Sequence, residues 1–277
     1  MMAMAPLSLA PSRPFVARGL AARPSEVGEF RPLRPGQRLE EEAGLVIFYQ
    51  PIVTAEGRII GFEALCRCRR GPCAEMPLGR FIAAVEVSGQ SGELTHGVLR
   101  ALCHQVIAWR MAGKHPVRLS MNVCATDMKP GFADSILSAI LEHSLDANWL
   151  TLEVTETQPF GCARAARGEI EQLRRHGVRI AIDDFGTGYS SMQRLLDIPC
   201  DEVKLDRSLV AGLVGDGKGE AIVESVVTLI HQLGMTIVAE GIEGAEQIER
   251  LAALGVREFQ GFHFGKPRPG AWWSAML

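Results

Sequence analysis

Seven short apolar runs in this chain end in, or are followed at once by, a carboxylate, an amide or a lysine. The polar stops are Glu63, Asn122, Glu153, Asp183 with Asp184, Lys204, Glu240 and Gln260. The runs, among them Leu119–Val123, Leu150–Val154, Ile180–Ile182, Val203–Leu205 and Thr236–Ala239, are brief and rich in Val, Ile and Leu. Strands buried on both faces of a parallel sheet have this pattern. Longer stretches between them carry apolar residues at helical spacing, and alternating strand and helix implies a parallel sheet with crossover helices. A polar group at the C-terminal end of strand after strand is how a (β/α)8 barrel, or TIM barrel, presents catalytic groups at one mouth. An α/β barrel with an acidic active site is the expected fold.

Length agrees, since 277 residues hold one such barrel of about 250. Its opening is modified. Leu45–Val53 and Arg58–Arg67 read as strands joined only by Thr54-Ala55-Glu56-Gly57. A link that short joins antiparallel strands, whereas parallel neighbours need a crossover of about a dozen residues or more. The first strand should therefore run against the others. Beyond it the spacing predicts helices over Leu78–Val87, Glu93–Met111, Phe132–His143 and Ala163–His176, a short one from Ser190, then Gly219–Leu233 and Ala245–Ala253. Strands are predicted at Val117–Val123, Trp149–Thr155, Val178–Asp183, Glu202–Leu205, Met235–Glu240 and Val256–Phe259. The Gly219–Leu233 helix should bury Ile222, Val223, Val226, Val227, Leu229, Ile230 and Leu233, with Gly234 as its cap.

Residues 1–42 differ from 43–277, the segment assigned to the barrel. They are dense in Pro, Arg and Ala, with prolines at 6, 11, 14, 24, 32 and 35 and no periodicity. Such a stretch buries too little surface to offset its ordering entropy and reads as a disordered tail, with an Arg-rich docking arm as the functional alternative. It is too short and too poor in core residues for a sensory domain. The formal net charge of −3 argues against a nucleic-acid polymer as partner. No apolar stretch approaches the roughly 20 residues of a membrane span. The seven cysteines are odd in number and no export signal accompanies them, so free thiols in a cytoplasmic protein are expected.

The acids carry the chemistry. Glu63, Glu153, Asp183, Asp184 and Glu240, with the amide of Asn122, would crowd one pocket where carboxylates repel one another unless cations join them. Donor sets made only of oxygen select hard cations such as Mg²⁺ or Mn²⁺ over Zn²⁺. The adjacent Asp183 and Asp184 could bridge two ions, the arrangement of two-metal phosphoester hydrolysis. Each acid alone fits equally well as a helix cap or surface partner. Seven polar stops at successive strand ends do not.

The motifs resemble those of a known family. Glu63-Ala64-Leu65 is the signature tripeptide of the EAL domain, the bacterial phosphodiesterase of cyclic di-GMP, and the resemblance runs from Phe48 to Pro267. Tyr49-Gln50-Pro51-Ile52-Val53, Met121-Asn122-Val123 and Glu153-Val154-Thr155-Glu156 resemble its motifs. So do Asp183-Asp184-Phe185-Gly186-Thr187-Gly188-Tyr189-Ser190-Ser191, Val203-Lys204-Leu205-Asp206, Ala239-Glu240-Gly241-Ile242-Glu243 and Gln260-Gly261-Phe262. The resemblance implies that the dinucleotide is hydrolysed to linear pGpG with two Mg²⁺ or Mn²⁺ ions per site. Glu63, Asn122, Glu153 and Asp183 would hold the first ion, and Asp183, Asp184 and Glu240 the second. Lys204 would sit beside the attacking water, and its removal would leave metal occupancy largely intact. Gln260 and Glu243 would fix waters and neighbouring ligands, and Glu156 would anchor the Phe185–Ser191 loop. Gln50, Arg67, Asp206 and Pro267 would meet the substrate, Arg67 at a phosphate. A homodimer through helices near the signature loop is also implied. A non-catalytic EAL-type receptor, or a regulator acting through a protein partner, is the alternative. The complete ligand set favours the enzyme.

Departures from the family pattern are Cys68 where an aromatic residue is common, Cys124 where a serine is common, and a loosely fitting Gly71–Gly79. Three other features invite function. Cys66, Cys68 and Cys73 lack a fourth zinc ligand nearby. Gly212–Lys218 imitates a phosphate loop but lacks the following Ser or Thr. His231 falls on a predicted helix, away from any strand mouth.

Overall fold

The computed structural model describes residues 44–69, 77–114, 117–154, 163–187, 191–213 and 217–277. The predicted tail lies outside them. Strands β1 (Leu45–Val53) and β2 (Ile59–Cys68) form an antiparallel hairpin, with Tyr49 opposite Ala64 and Gln50 opposite Glu63. The turn closes through Gly57 N–H donating to Thr54 O at 2.9 Å, with Gly57 at φ +81°. Helices α1 (Leu78–Val87) and α2 (Ser91–Met111) precede β3 (Arg118–Val123), α3 (Phe132–Glu142), β4 (Leu150–Val154) and α4 (Ala163–Arg175). Then come β5 (Arg179–Phe185), α5 (Ser191–Asp197), β6 (Glu202–Leu205), α6 (Arg207–Ala211) and α7 (Lys218–Gln232). The chain closes with β7 (Thr236–Ala239), α8 (Ala245–Ala253), β8 (Glu258–Gln260), β9 (Arg268–Pro269) and α9 (Gly270–Trp273).

Strands β2 to β8 are parallel in chain order, and β1 shuts the ring by pairing antiparallel with both β2 and β8. This is the modified barrel that the four-residue turn requires. Every residue of β4 and β6 is buried, which is why their sequences do not alternate.

Five predicted strands after the hairpin start too early, at Val117, Trp149, Val178, Met235 and Val256, and the last three do so for one reason. Val178, Met235 and Val256 each follow a glycine of positive φ, namely Gly177 (+92°), Gly234 (+76°) and Gly255 (+96°). Their N–H groups turn back onto the helix, to Leu173 O (3.2 Å), Ile230 O (3.2 Å) and Leu251 O (3.0 Å). These are Schellman closures, whose apolar residue after the glycine packs on the helix it ends. The apolar face of α7 is also narrower than predicted, since Ile222 and Leu233 are exposed. The sequence reading missed α6, β9 and α9. The α9 segment seals one side of the barrel, where Trp273 Nε1 donates to Tyr49 O at 2.8 Å.

Cysteine usage departs from expectation. Cys66, Cys103, Cys124 and Cys200 are free, but Cys68 is disulfide-bonded. Pairing depends on Cα separations that spacing along the chain does not reveal. Cys73 lies outside the described residues. Directly after the phosphate-loop imitation, Gly219 packs on Gly212, where a Cβ would collide with the Gly212 carbonyl oxygen. Those glycines serve a helix joint.

The N-terminal mouth of the barrel is closed by charge. Glu202, 2 % exposed, meets Arg118 at 3.0 Å and Arg179 at 3.1 Å, and Arg118 also pairs with Glu258. Removing one partner of a buried pair strands the others. Glu202→Ala is therefore expected to cost about 3 kcal/mol, the low end for such a loss because both guanidiniums reach solvent. Urea unfolding should show a lower midpoint at an unchanged slope. An unchanged midpoint would mean that the cluster contributes nothing to stability.

Candidate active site

At the other mouth the strand ends bring together most of the predicted acids. Glu63 comes from β2, Glu153 from β4, Asp183 and Asp184 from β5, and Glu240 from the residue after β7. Lys204, on β6 and 1 % exposed, lies among them. Its Nζ is 2.7 Å from Glu240 Oε1, 2.9 Å from Glu153 Oε2, 3.2 Å from Asp183 Oδ1 and 3.5 Å from Glu63 Oε2. Gln260 Nε2 donates to Glu63 Oε2 at 2.6 Å, and Asn122 Nδ2 to Glu63 Oε1 at 3.4 Å.

Adjacent residues on a regular strand point to opposite faces, so Asp183 and Asp184 should diverge. They do not. Asp184 has φ +52°, a left-handed conformation uncommon outside glycine, and the β5–β6 register slips between Ile182 and Phe185. The kink turns Asp184 back, and carboxylate oxygens of Asp183, Asp184 and Glu240 lie within 4.8 Å of one another. Local strain of this kind is held in place by surrounding structure and gathers at working sites.

Burial and crowding set the electrostatics. Burial pushes the Asp184 carboxyl up to about 7, with Asp183 adding to the rise. Burial pushes Glu240 up to about 8 against the pull of Lys204, and it raises Glu153 as well. Burial also works against the Lys204 ammonium, but Asp183, Glu153, Glu240 and Glu63 outweigh it and hold the lysine above its ordinary range. In metal-free protein the folded acids thus keep protons that the unfolded chain loses near pH 4. Groups raised in this way lend stability that is present below the unfolded pKa and lost as pH rises through the folded value. In chelator, the melting temperature should fall as pH rises toward 7 to 8, and Glu240→Gln should flatten that fall. Wild-type protein that grows more stable over this range in chelator would contradict the assignment.

The donor set suits a hard divalent cation. The converging donors are oxygens, and the buried Glu153 oxygens, Asp183 Oδ1 and Gln260 Oε1 receive no well-aligned hydrogen bond. Among the described residues, Lys204 is the cation that pairs with Glu153 and Asp183. Unmatched buried acceptors aimed at one point can be satisfied by Mg²⁺ or Mn²⁺.

The remaining predicted residues are spread along the rim. Gln50, nearly buried, donates to Gly265 O at 3.4 Å. The β1–β9 register pairs Tyr49 with Arg268, and Pro267 directly precedes that short strand. Arg67 Nη1 donates to Cys66 O at 2.7 Å and its guanidinium lies 6.0 Å from the Phe48 ring centre. Asp206 caps α6 by accepting from Ser208 N at 2.7 Å. Glu243 stands apart from the buried acids, in an exposed ion pair with Arg207 at 2.6 Å. The sequence reading did not single out Arg207; its place directly after Asp206 was the available signal. Glu156, Gly188, Tyr189 and Ser190 lie outside the described residues. His231 is exposed on α7, with its ring against Gly255.

Known proteins share these features. The EAL domain family profile matches residues 36–267. The bifunctional diguanylate cyclase/cyclic di-GMP phosphodiesterase MucR of Pseudomonas aeruginosa is 39% identical over 231 residues, 83% of this chain and 34% of that protein. The chain thus spans about a third of the length of this curated relative. A solved structure of the PaMucR phosphodiesterase in complex with c-di-GMP superposes with a TM-score of 0.73 at 38% identity, covering 85% of this chain and 96% of that one. The manganese/cy-diGMP complex of Klebsiella pneumoniae BlrP1 at pH 6 gives 0.69 at 31% identity, covering 85% of this chain and 57% of that one. Among the described residues no helix is long and apolar enough to cross a membrane. The profile match extends over nearly the whole barrel and takes in every strand mouth described above, and on that ground the chain belongs to the EAL domain family.

Proposed function

We propose that this chain hydrolyses cyclic di-GMP to linear pGpG with the help of two Mg²⁺ or Mn²⁺ ions. The observation that carries the proposal is the convergence of Glu63, Glu153, Asp183, Asp184 and Glu240 around one buried point at the barrel mouth. MucR is named for this activity, and the BlrP1 structure holds manganese together with the dinucleotide. Glu63, Asn122, Glu153 and Asp183 would hold one ion, and Asp183, Asp184 and Glu240 the other. When bound, such ions supply the charge that activates a water and offsets the phosphoryl oxygens. Lys204, kept as an ammonium by the surrounding acids, would orient that water by donating to it. Gln260 keeps Glu63 turned into the site through its 2.6 Å hydrogen bond. Gln50, Arg67, Asp206 and Pro267 would line the nucleotide groove, with Arg67 exchanging its bond to Cys66 O for a phosphate oxygen. The test is incubation with cyclic di-GMP and Mg²⁺ or Mn²⁺, followed by chromatography. A pGpG peak supports the enzyme, whereas binding without product supports a receptor.

The same reading includes a homodimer. Met192 and Leu196 sit one turn apart on α5, just beyond the signature loop, and are 50% and 72% exposed. Apolar residues at that spacing make a contact stripe. Leu196→Glu should convert a dimer to monomer in light scattering. A wild-type chain that runs as a monomer at high concentration would remove this part of the proposal.

A further inference from the structure

Lys204 stands at the centre of the acid cluster. Its ammonium is 3.5 Å or less from carboxylate oxygens of Glu63, Glu153, Asp183 and Glu240. Those are four of the acids assigned above to divalent cations. Among the described residues no other lysine or arginine is ion-paired with any of the four. We propose that Lys204 is the internal counter-cation of the metal-free site, holding the acids together until divalent ions arrive and giving up most of its contacts to them, so that it sets metal affinity.

Three observations support this role. The four carboxylates come from four different strands, β2, β4, β5 and the end of β7. Without a cation between them, those that are ionised would repel one another across a buried space or take up protons. Next, the Lys204 backbone is fixed within the ladder, opposite Val238 on β7, so only its side chain can move. A four-carbon stem carrying a compact charge can swing its ammonium without moving the strand, which a planar guanidinium does less easily. Finally, the oxygens that meet Nζ lack other well-aligned donors on Glu153 and Asp183. An ion that takes these oxygens takes them from the lysine.

Competition of this kind has a definite sign. Any interaction present only in the metal-free state weakens metal binding by the free energy it contributes there. A lysine that only orients water would leave metal affinity unchanged. A counter-cation must instead lower it, so removing the charge tightens binding. Metal occupancy should thus rise when Lys204 is replaced, contrary to the expectation from resemblance that it stays the same.

The inference rests on the reading of the cluster as a cation site, and the test separates the two. Chelator-stripped wild type, Lys204→Met and Lys204→Arg are titrated with Mn²⁺ by calorimetry, and their melting is followed with and without the ion. Lys204→Met should bind Mn²⁺ about tenfold more tightly or better, a usual size for coupled sites. Its metal-free form should melt lower than wild type, and its gain on adding Mn²⁺ should be larger. Lys204→Arg keeps the charge and should show no tightening. Lys204→Met protein that folds only with Mn²⁺ also supports the proposal, because the ion then replaces the missing charge. Equal or weaker affinity in Lys204→Met overturns it, as does equal tightening in Lys204→Arg. So does a Lys204→Met chain that stays unfolded in saturating Mn²⁺. A wild type that binds no Mn²⁺ overturns the cation reading itself.

Discussion

Asp183→Asn should lower the turnover of cyclic di-GMP by about three orders of magnitude or more, which is roughly 4 kcal/mol of lost transition-state stabilisation. Asp183 is buried, its Oδ1 has no well-aligned donor apart from the Lys204 ammonium at 3.2 Å, and it belongs to the close triad with Asp184 and Glu240. Asparagine keeps the size and shape of the side chain, so the β5 kink and the barrel should persist. What disappears is a full negative charge at the point where both proposed ion positions meet. The measurement is kcat at saturating Mn²⁺, with the melting temperature as a control for folding. An Asp183→Asn enzyme that turns over normally would end the two-ion assignment. A loss confined to low metal concentration would show instead that Asp183 contributes to ion affinity alone.

Chelation should remove turnover completely, and Ca²⁺ should restore dinucleotide binding without restoring hydrolysis. The five carboxylates sit on strand ends whose registers hold them in one arrangement. Mg²⁺ needs near-ideal octahedral geometry at about 2.0–2.1 Å, whereas Ca²⁺ takes six to eight oxygens at about 2.3–2.6 Å. A cluster set by a rigid barrel can accept the larger ion only by spreading, and then Lys204 and the acids no longer share one centre. The comparison is product formation and nucleotide binding in EDTA, Mg²⁺, Mn²⁺ and Ca²⁺. Hydrolysis that persists in excess EDTA would rule out a divalent-ion mechanism. Hydrolysis in Ca²⁺ equal to that in Mg²⁺ would show that ligand geometry is not what limits the reaction.

Much of the barrel was legible because burial on both faces leaves a mark in composition. Runs such as Leu150–Val154 and Glu202–Leu205 match their strands in the structure closely or completely. Three of the errors, at Val178, Met235 and Val256, share a cause, because there one apolar residue serves helix closure and not the sheet. Both roles call for the same residue type, so composition alone cannot separate them. The short β9 and α9 carry no periodic signal, since a strand of two residues is placed by pairing with Phe48 and Tyr49, and a helix of four by the Trp273 bond to Tyr49 O.

The site divides along the same line. Which residue types stand at the strand ends follows from sequence, because strand spacing and the four-residue turn at Thr54–Gly57 settle the topology and topology gathers strand ends at one mouth. Three things depended on the folded chain. The Asp184 backbone had to enter the left-handed region before two neighbouring carboxylates could face one point. Glu243 had to find Arg207 at the surface, which sets it apart from the buried acids at the strand ends. Lys204 had to be enclosed by four strands before its charge had four partners. The last two are matters of distance between residues far apart in the chain, where Coulomb energy depends on separation and burial and not on sequence order.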